Sequence, residues 1–382
     1  MKKIIPITLL TGYLGAGKTT LLNYVLKNQQ GYKVAVIVND IGEVNVDASL
    51  IAQQDVVSKS DKSLVALSNG CICCNLKQDL IQQIADIVDS GKFDYILIEA
   101  SGICEPIPIV QSVTVVEEAT AKYHLPAICK LDNVVCVVDA ARLADEFGCG
   151  DVLLTEKAEE KEEEGEEEEN ISSLLIQQIE FCNKIIINKI DKVSEEEKKK
   201  VEAVVRALQP DAEMLEAEKG VVPIEKIMGT GSFDFEKASA SAGWIKELEK
   251  DDDHEDESGE SLEYGIGTYV YYARFPMDIK KFHEFSKALP AKCIRCKGIV
   301  WFQADPEGMY VFEQAGKQFE CYQADNWIAA YPKKDREAFI KAHPEILKDW
   351  DETWGDRMVK LVFIGQDLDK EWIKSTLDSC RA

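Results

Sequence analysis

The segment GYLGAGKTT, Gly12 to Thr20, has the residues and spacing of a phosphate-binding loop. It matches the pattern G-x-x-x-x-G-K-[ST] in full and lies between an apolar run and a helical pattern, which is the context this motif requires. Its glycines let the backbone fold tightly, so that N–H groups point at phosphate oxygens. We expect the Lys18 ammonium to reach the β- and γ-phosphates and the Thr19 hydroxyl to bind Mg²⁺. The candidate nucleotide-binding residues of the loop are Gly12, Gly15, Ala16, Gly17, Lys18, Thr19 and Thr20. The alternative is a glycine-rich turn without a ligand.

A second candidate site is the tetrapeptide NKID, Asn188 to Asp191, which follows the apolar run KIII. A carboxylate at Asp191 can accept hydrogen bonds from the N1–H and the exocyclic amine of guanine. Adenine lacks that pair of donors, and a site built for paired donors rejects a base without them. Together with Asn188 and Lys189, Asp191 therefore predicts GTP as the nucleotide. The alternative is a strand that ends in a polar turn.

Two further segments carry acids that could serve a nucleotide site. DYILIEASG is an apolar strand that ends in Glu99. We expect Glu99 to hold Mg²⁺ through water and the Gly102 amide to face the γ-phosphate. The alternative for Glu99 is a solvated acid at the end of a strand. VNDIGEVNVD, Val38 to Asp47, carries Asp40 and Glu43 where a nucleotide-sensing switch loop would lie. The candidate catalytic residues are Lys18, Glu99 and Asp40. The alternative for Val38–Asp47 is an ordinary acidic loop without a role in nucleotide binding.

Three thiols lie within four positions in the segment SNGCICCNL, at Cys71, Cys73 and Cys74. They follow the apparent strand LVAL and precede a helical pattern, and the positive end of a helix favours the thiolate that binds metal. Three ligands leave a fourth position open, as in exchangeable zinc sites. Thiolates suit Zn²⁺, with Co²⁺ and Cu⁺ as alternatives. The other interpretations are small buried residues at a tight turn and a redox sensor.

Cys293 and Cys296 form a C-x-x-C in a β-rich segment. Because no second C-x-x-C accompanies them, the pattern does not support a zinc ribbon, and packing within a strand is the better interpretation. The four histidines are dispersed along the chain. They therefore predict no Ser/His/Asp or Cys/His catalytic set.

The elements that must position these residues alternate between short apolar runs and amphipathic stretches over the first ~230 residues. Such βα alternation predicts an α/β fold, a P-loop NTPase domain with a mostly parallel sheet, followed by a smaller α/β domain. We expect the first domain at 1–232, an acidic linker at 233–265 and the second domain at 266–382. The expected strands of the first domain are Ile4–Leu10, Val34–Val38, Leu64–Leu67, Tyr95–Ile98, Val134–Val138 and Lys184–Ile187, and its expected helices include Lys18–Lys27 and Lys77–Val88. In the second domain we expect helices at Asp278–Ala288 and Asp369–Leu377.

Composition narrows the class of protein further. The formal net charge of −25 argues against non-specific binding to nucleic acid or to an anionic membrane. Much of that charge lies in two tracts, 156–169 and 251–260, and we expect the first to be a solvated insertion of about 156–170. The apolar start of the chain is too short for a signal peptide, so it is interpreted as a first buried strand. No stretch approaches the roughly 20 apolar residues of a membrane span.

Taken together, the motifs identify a family. The phosphate loop, the Val38–Asp47 loop, NGCICC, the Glu99-x-Ser101-Gly102 strand end and NKID resemble the CobW-type metallochaperone GTPases. The segments YYARFP, RCKGIVWF and WGDRMVKLVFIG resemble that family's C-terminal domain. The resemblance extends over nearly the whole chain apart from the two acidic tracts.

The resemblance implies a GTPase that carries a transition metal, most often zinc, and delivers it to client proteins. It also implies that Cys71, Cys73 and Cys74 bind the metal and that Glu43 contributes to the site. Many members carry a His-rich segment before the C-terminal domain, but here DDDHEDESGE holds one histidine. One histidine does not make a histidine-based metal store, so none is expected here. The carboxylates of this segment would not replace it, because they hold soft metals weakly.

Three functions are compatible with these residues. The first is a cytoplasmic GTPase metallochaperone whose C-terminal domain recognises a client metalloprotein, with a homodimer as a further expectation. The second is a metal buffer with little GTPase activity. The third is an activator of a cobalt- or corrinoid-dependent enzyme, since thiolates take both zinc and cobalt. Turnover of GTP separates the first from the second.

Overall fold

A computed structural model of the chain describes residues 4–28, 31–38, 64–66, 76–122, 128–146, 165–249, 263–290, 292–316 and 318–382. These residues form two compact units. The first comprises the described residues of Met1–Leu153 and Leu174–Ala242, and the second those of Leu154–Ser173 and Gly243–Ala382.

The first unit is built on a seven-stranded sheet in the order β3-β2-β4-β1-β5-β6-β7. Every neighbouring pair of its strands is parallel. The strands are β1 Ile5–Thr11, β2 Val34–Val38, β3 Leu64–Ala66, β4 Tyr95–Glu99, β5 Cys129–Asp139, β6 Lys184–Asn188 and β7 Glu213–Ala217. The predicted α/β fold with a mostly parallel sheet is confirmed, and the central strands are buried on both faces as such a sheet requires.

Helices follow every strand of this sheet except β2, whose connection to β3 lies outside the described residues, and helical crossovers are usual between parallel strands. They are α1 Lys18–Lys27, α2 Leu76–Ser90, α3 Pro106–Lys122, α4 Ala140–Glu146, α5 Gly165–Glu180, α6 Glu195–Leu208 and α7 Phe235–Ala240, with 3-10 turns at Ile190–Lys192 and Ile224–Lys226. Helix α5 begins inside the first acidic tract, and its residues from Leu174 belong to the first unit. Helix α6 starts with a complete capping box, in which Ser194 and Glu197 each bond the other's backbone N–H.

The second unit is a five-stranded antiparallel sheet in the order β11-β10-β9-β12-β8. Its elements are α8 Gly243–Glu249, β8 Ile266–Ala273, α9 Ile279–Lys287, β9 Cys293–Phe302, β10 Asp305–Ala315, β11 Gln318–Asn326, α10 Lys333–Ala342, β12 Val359–Gln366 and α11 Lys370–Ser379, with 3-10 turns at Glu263–Gly265, Ile328–Ala330 and Pro344–Asp349. Aromatic side chains on α9 and α11 pack against one face of this sheet. Phe285 of α9, for example, contacts both Phe363 of β12 and Trp372 of α11. Helices α7 and α8 lie within 233–265, where the sequence led us to expect a linker.

Candidate nucleotide site

The carboxyl ends of β1, β4, β5 and β6 lie along one edge of the first sheet, because these strands run parallel and pair side by side. Ligands of open parallel sheets bind outside this edge. The phosphate loop follows β1, Glu99 ends β4, Asp139 ends β5 and Asn188 ends β6. The register therefore brings together four segments that are far apart in sequence.

The phosphate loop has the glycine conformations that its motif predicts. Gly12, Gly15 and Gly17 have φ angles of 130°, 75° and 107°, which other residues rarely adopt. A Cβ on Gly12 would lie 2.2 Å from the Val137 carbonyl oxygen, and one on Gly17 would lie 2.3 Å from Asn188 Nδ2. Gly12 and Gly17 are therefore required both for the turn and for close packing against β5 and β6.

Lys18 lies over the mouth of this loop. Its ammonium donates to the carbonyl oxygens of Gly12 at 2.7 Å and Tyr13 at 3.2 Å, and the residue is only 7 % exposed. Gly17 precedes it as the N-cap of α1. A buried cation and the N–H groups of a helix N-terminus on one loop form a site suited to an anion of the phosphate class.

Thr19, on the first turn of α1, contacts Glu99 at the end of β4. The Thr19 hydroxyl donates to Glu99 Oε1 at 2.7 Å, and Glu99 is 2 % exposed. A hydroxyl and a carboxylate are hard oxygen donors of the kind that Mg²⁺ prefers beside substrate phosphates. These two residues therefore fit the Mg²⁺ expected here.

Gly102 lies directly against the phosphate loop. A Cβ there would be 2.5 Å from the Leu14 nitrogen, so a larger residue would displace the loop. The Gly102 carbonyl accepts from the buried Gln178 side chain at 3.2 Å, and the Cys104 carbonyl accepts from the same amide at 3.1 Å. Helix α5 thus fixes the turn that follows Glu99.

In the NKID segment, Asn188 and Lys189 are held by contacts with neighbouring residues, whereas Asp191 is exposed. Asn188 donates to the Ala16 carbonyl at 2.8 Å and accepts from the Gly220 N–H at 3.0 Å, so it joins the phosphate loop to the loop after β7. The Lys189 ammonium contacts Asp139 Oδ2 at 2.5 Å. Asp191 is exposed in the 3-10 turn after β6, where its carboxylate is available to a base. Thr20, on the first turn of α1, is also exposed.

Several residues of this edge escaped the sequence analysis. Asp139 caps α4 by accepting from the N–H groups of Ala141 and Arg142, in addition to its contact with Lys189. The Arg142 guanidinium stacks over the Tyr13 ring at 4.1 Å. Gly220, at φ 69°, closes against α1. In the sequence, Asp139 could have been noticed as the acid that ends the apolar run VVCVVD. Gly220 could have been noticed as part of the Lys-Gly pair after EMLEA.

The expected metal ligands Cys71, Cys73, Cys74 and Glu43, and the candidate catalytic residue Asp40, lie outside the described residues. Within the described ranges, no three His, Cys, Asp or Glu side chains gather as a metal cluster would require. The strands that flank these segments are nevertheless informative. Val38, the last residue of β2, pairs with Ala66 at the end of β3 and with Glu99 at the end of β4.

Cys293 and Cys296 are fully buried in the core of the second unit. Burial raises the pKa of the Cys293 thiol to about 12 and that of Cys296 well above its ordinary range. Both are therefore protonated near neutral pH, and metal ions bind the thiolate. Packing within β9 accounts for this pair, as the sequence suggested.

None of the helices that the structure describes is long and apolar enough to cross a membrane.

Comparison with known proteins gives a consistent assignment. Residues 6–216 match the family model described as the CobW/HypB/UreG nucleotide-binding domain, and residues 266–381 match the cobalamin synthesis protein cobW C-terminal domain. The chain is 36 % identical to zinc-regulated GTPase metalloprotein activator 1 of Dictyostelium discoideum, over 98 % of this chain and 79 % of that protein. It is 27 % identical to the zinc chaperone YjiA of Escherichia coli, over 99 % of both chains. The crystal structure of zinc-bound YjiA covers 100 % of both chains at 20 % identity, with a TM-score of 0.40.

The two family matches divide the chain as its motifs do, with the phosphate loop, Glu99 and Asn188 inside the first match. The chain therefore belongs to the CobW/HypB/UreG family of nucleotide-binding proteins and carries a CobW C-terminal domain.

Proposed function

We propose that this protein is a GTPase metallochaperone, which binds a transition metal, zinc first, and delivers it to client proteins. The observation that carries the proposal is the Thr19–Glu99 pair beside Lys18 on one sheet edge. A lysine, a hydroxyl and a carboxylate in this arrangement are the parts that phosphoryl transfer from a nucleoside triphosphate requires. The two relatives described above are named a zinc-regulated GTPase metalloprotein activator and a zinc chaperone.

In this proposal the protein's own residues position the triphosphate. Lys18 exchanges its contacts with the Gly12 and Tyr13 carbonyls for phosphate oxygens, and the N–H groups of the loop hold the β-phosphate. Thr19 and Glu99 would hold Mg²⁺, which neutralises charge that develops on the phosphates. Asp40 is the candidate that orients the attacking water.

Selection of guanine is assigned to Asp191. Its exposed carboxylate follows Asn188 and Lys189, both of which are fixed by hydrogen bonds to neighbouring loops. A carboxylate on so firmly held a turn can accept both donors of the guanine edge with little ordering cost. GTP rather than ATP is therefore the proposed substrate.

The cargo metal is assigned to Cys71, Cys73 and Cys74, with Glu43 as a further ligand. The segment that contains Glu43 follows β2, and the segment that contains the cysteines follows β3. Both strands end at the edge of the sheet that bears Glu99, because β2, β3 and β4 end in register. Zn²⁺ suits a set of thiolates, and Co²⁺ suits it too. The thiolates stay reduced in the cytoplasm, which is the proposed compartment.

Client recognition is assigned to the C-terminal domain, residues 266–382, and nucleotide binding to residues 1–232. A homodimer is a further part of the proposal. An alternative function is metal insertion into one particular cobalt- or corrinoid-dependent enzyme. The name of the Dictyostelium relative, a metalloprotein activator, supports this alternative. A metal buffer with little turnover is the third function.

The deciding experiment measures turnover and metal content together. Hydrolysis of GTP and ATP is followed with Mg²⁺, for protein loaded with one equivalent of Zn²⁺, with Co²⁺ or with no metal. We expect hydrolysis of GTP that exceeds that of ATP by at least about tenfold, since adenine lacks the paired donors that guanine offers to the Asp191 carboxylate. Equal rates with ATP would contradict the base assignment, and no turnover under any condition would leave the buffer function.

A further inference from the structure

Helix α5 of the first unit carries a fully buried polar side chain, Gln178, that the proposed function does not use. Leu175, one helical turn earlier, and the adjacent Ile179 are apolar and buried. An apolar residue would therefore suit position 178 as far as packing is concerned. A buried polar group costs free energy unless its hydrogen bonds are made. The value of Gln178 to the protein thus depends on the hydrogen bonds that it makes.

Both N–H groups of the Gln178 amide bond to one turn of the backbone. Nε2 donates to the Gly102 carbonyl oxygen at 3.2 Å and to the Cys104 carbonyl oxygen at 3.1 Å. Because both acceptors are carbonyl oxygens, the amide nitrogen and not the amide oxygen must face the turn. Gln178 Oε1 is buried and has no hydrogen-bond partner among the residues that the structure describes. An acceptor left unpaired while both donors hold a turn is a departure expected at functional sites.

The turn that receives these bonds runs from Ser101 to Cys104, directly after β4. The Cys104 N–H closes it by donating to the Ser101 carbonyl oxygen at 3.1 Å. In a trans peptide the N–H points opposite to the carbonyl, and the described chain contains no cis peptide bond. The Gly102 N–H, which belongs to the same peptide unit as the Ser101 carbonyl, therefore points out of the turn.

Gly102 lies against the phosphate loop in this arrangement. A Cβ on Gly102 would be 2.5 Å from the Leu14 nitrogen and 2.7 Å from Leu14 Cδ2. In the proposed function the triphosphate binds at this loop, and the Gly102 N–H is the expected donor to the γ-phosphate. The contact with Leu14 indicates that the turn is held beside the loop, where that donor is needed.

Helix α5 is anchored firmly at the end that carries Gln178. The Glu180 carbonyl, in the last residue of the helix, accepts from the buried Gln209 amide at 2.6 Å. The same amide donates to Ser241 Oγ at 2.8 Å. Ile179 is buried beside these groups in sequence. Because Gln178 projects from a helix fixed in this way, its amide can define where the turn lies.

We propose that Gln178 is a positioning residue for recognition of the γ-phosphate. By holding the Gly102 and Cys104 carbonyls, it directs the Gly102 N–H at the third phosphate, so that the site distinguishes GTP from GDP. The inference rests on the proposed function, because it concerns the nucleotide of that site. A donor fixed in advance needs no reorganisation when the anion binds. A loosened turn therefore weakens binding of the nucleotide that has a γ-phosphate, whereas GDP lacks the group that the turn would contact.

The test measures the affinity of the full-length protein for a non-hydrolysable GTP analogue and for GDP, both with Mg²⁺, by isothermal titration. Gln178→Met keeps the length of the side chain but has no N–H to donate. We expect the affinity for the analogue to fall roughly tenfold, a change of about 1.4 kcal/mol, and that for GDP to stay within about threefold. The ratio of the two affinities is the readout, because an unfolded fraction lowers both apparent affinities by the same factor.

Gln177→Met is the matched control. Gln177 is the preceding residue of α5 and is half-buried, so the variant places the same methionine on the same helix and leaves both bonds to the turn intact. It should keep the ratio of the parent protein. Gln178→Asn retains the amide but shortens its reach by one methylene group, and its ratio should lie between those of the parent and Gln178→Met. This milder variant decides the question if the methionine variant does not fold.

Three outcomes would overturn the inference alone. They are an equal loss of affinity for both nucleotides in the Gln178 variants, which would make Gln178 a support of the whole site; a ratio that is unchanged or shifted towards the triphosphate; and the same loss in Gln177→Met. In each case hydrolysis of GTP by the parent protein would leave the proposed function intact. A parent protein that neither binds the GTP analogue nor hydrolyses GTP would overturn the proposed function and this inference with it.

Discussion

The hydroxyl of Thr19 and the carboxylate of Glu99, 80 positions apart in sequence, are joined by a 2.7 Å hydrogen bond. Strand β4 lies next to β1 in the sheet, so the end of β4 is delivered to the helix that follows the phosphate loop. The pair is thus assembled by backbone register before any ion binds. Preorganised donors of this kind need no reorganisation when the ligand arrives.

Glu99→Gln is expected to weaken binding of the Mg²⁺–GTP complex while preserving the fold. The amide keeps the shape of the carboxylate but removes its charge. A hydrogen bond to a charged group contributes about 1.5–3 kcal/mol, so the affinity should fall roughly 10- to 150-fold. Isothermal titration with a non-hydrolysable GTP analogue measures this, with and without Mg²⁺.

The matched control is Glu105→Gln, which changes an exposed glutamate at the start of α3. It should bind the analogue as the parent protein does. If Glu99→Gln lowers affinity equally with and without Mg²⁺, the carboxylate supports the loop rather than the ion.

Asn188→Ala is expected to lower both stability and nucleotide affinity. Its amide bridges the Ala16 carbonyl and the Gly220 N–H inside a site where Asn188 is 1 % exposed. Leaving a buried donor or acceptor without a partner costs about 1–3 kcal/mol. Asn188→Asp retains the acceptor for Gly220 but sets a buried carboxylate oxygen against the Ala16 carbonyl oxygen, and should destabilise the fold at least as much as Asn188→Ala in urea unfolding at pH 7. An unchanged GTP affinity in both variants would rule out the bridge as a support of the phosphate loop.

The sequence predicted the sheet well where apolar runs are continuous and less well where burial depends on polar side chains. Strand β2 was predicted at its observed bounds, whereas β5 extends from Cys129 rather than Val134. Its first half contains Asp132 and Asn133, which are buried because Asp132 accepts from Tyr95 and from the N–H groups of Thr230 and Gly231. Such long-range hydrogen bonds have no local sequence pattern.

Strand β7 was missed for a different reason. It pairs only with β6 within the described sheet and reads EMLEA, with charges in place of a continuous apolar run. Motifs that are local in sequence, such as the phosphate loop, could be placed from residue spacing alone. Asp139 joins the site through strand register and Gly220 through its contact with α1, and neither the acid that ends VVCVVD nor the Lys-Gly pair after EMLEA predicts these contacts by itself.

Asp191→Asn is expected to change the preferred base from guanine to xanthine. An amide cannot accept both donors of guanine, but it can donate to the 2-keto group of xanthine. The loss of GTP affinity should be about 2–4 kcal/mol, from a charge-assisted bidentate contact. Competition between GTP and xanthosine triphosphate gives the ratio directly. The neighbouring Lys192→Ala should leave it unchanged, and a preserved preference for GTP in Asp191→Asn would place base recognition on another residue.

Glu213→Gln is expected to reduce stability at neutral pH but not in acid. Hydrogen bonds from Lys184 and Lys226 lower the pKa of Glu213 below its ordinary value of 4.5. A depressed carboxylate pKa stabilises the fold above the unfolded value and loses that contribution as pH falls through the folded value. Free energies of unfolding in urea should therefore differ at pH 7 and converge as pH falls well below 4.5. Glu218→Gln, on the exposed loop after β7, is the control; a difference that persists in acid would assign the effect to shape rather than charge.

Binding of GTP and of the cargo metal is expected to be thermodynamically coupled. Val38 pairs with both Ala66 and Glu99, so the switch segment follows a strand next to Glu99, the proposed Mg²⁺ ligand, and the cysteine segment follows the strand one place further along the same sheet. A γ-phosphate that orders Val38–Asp47 would then change how Glu43 approaches the thiolates. Coupling must be reciprocal, and about 1–3 kcal/mol, roughly 5- to 150-fold, is the usual range.

Chelator competition for Zn²⁺ measures this coupling in the presence of a non-hydrolysable GTP analogue, of GDP and of no nucleotide. The direction we expect is tighter metal binding with the triphosphate and release after hydrolysis, because delivery then becomes the step that GTP turnover drives. Cys71, Cys73 and Cys74 changed together to Ser should remove the high-affinity site in every nucleotide state. Deletion of 156–169, which removes only the first five residues of α5, should leave both the site and the coupling within a few-fold, since the buried residues Leu175, Ile176 and Ile179 of that helix remain. Equal Zn²⁺ affinity in all three nucleotide states would exclude gated delivery and leave a buffer that happens to carry a nucleotide site.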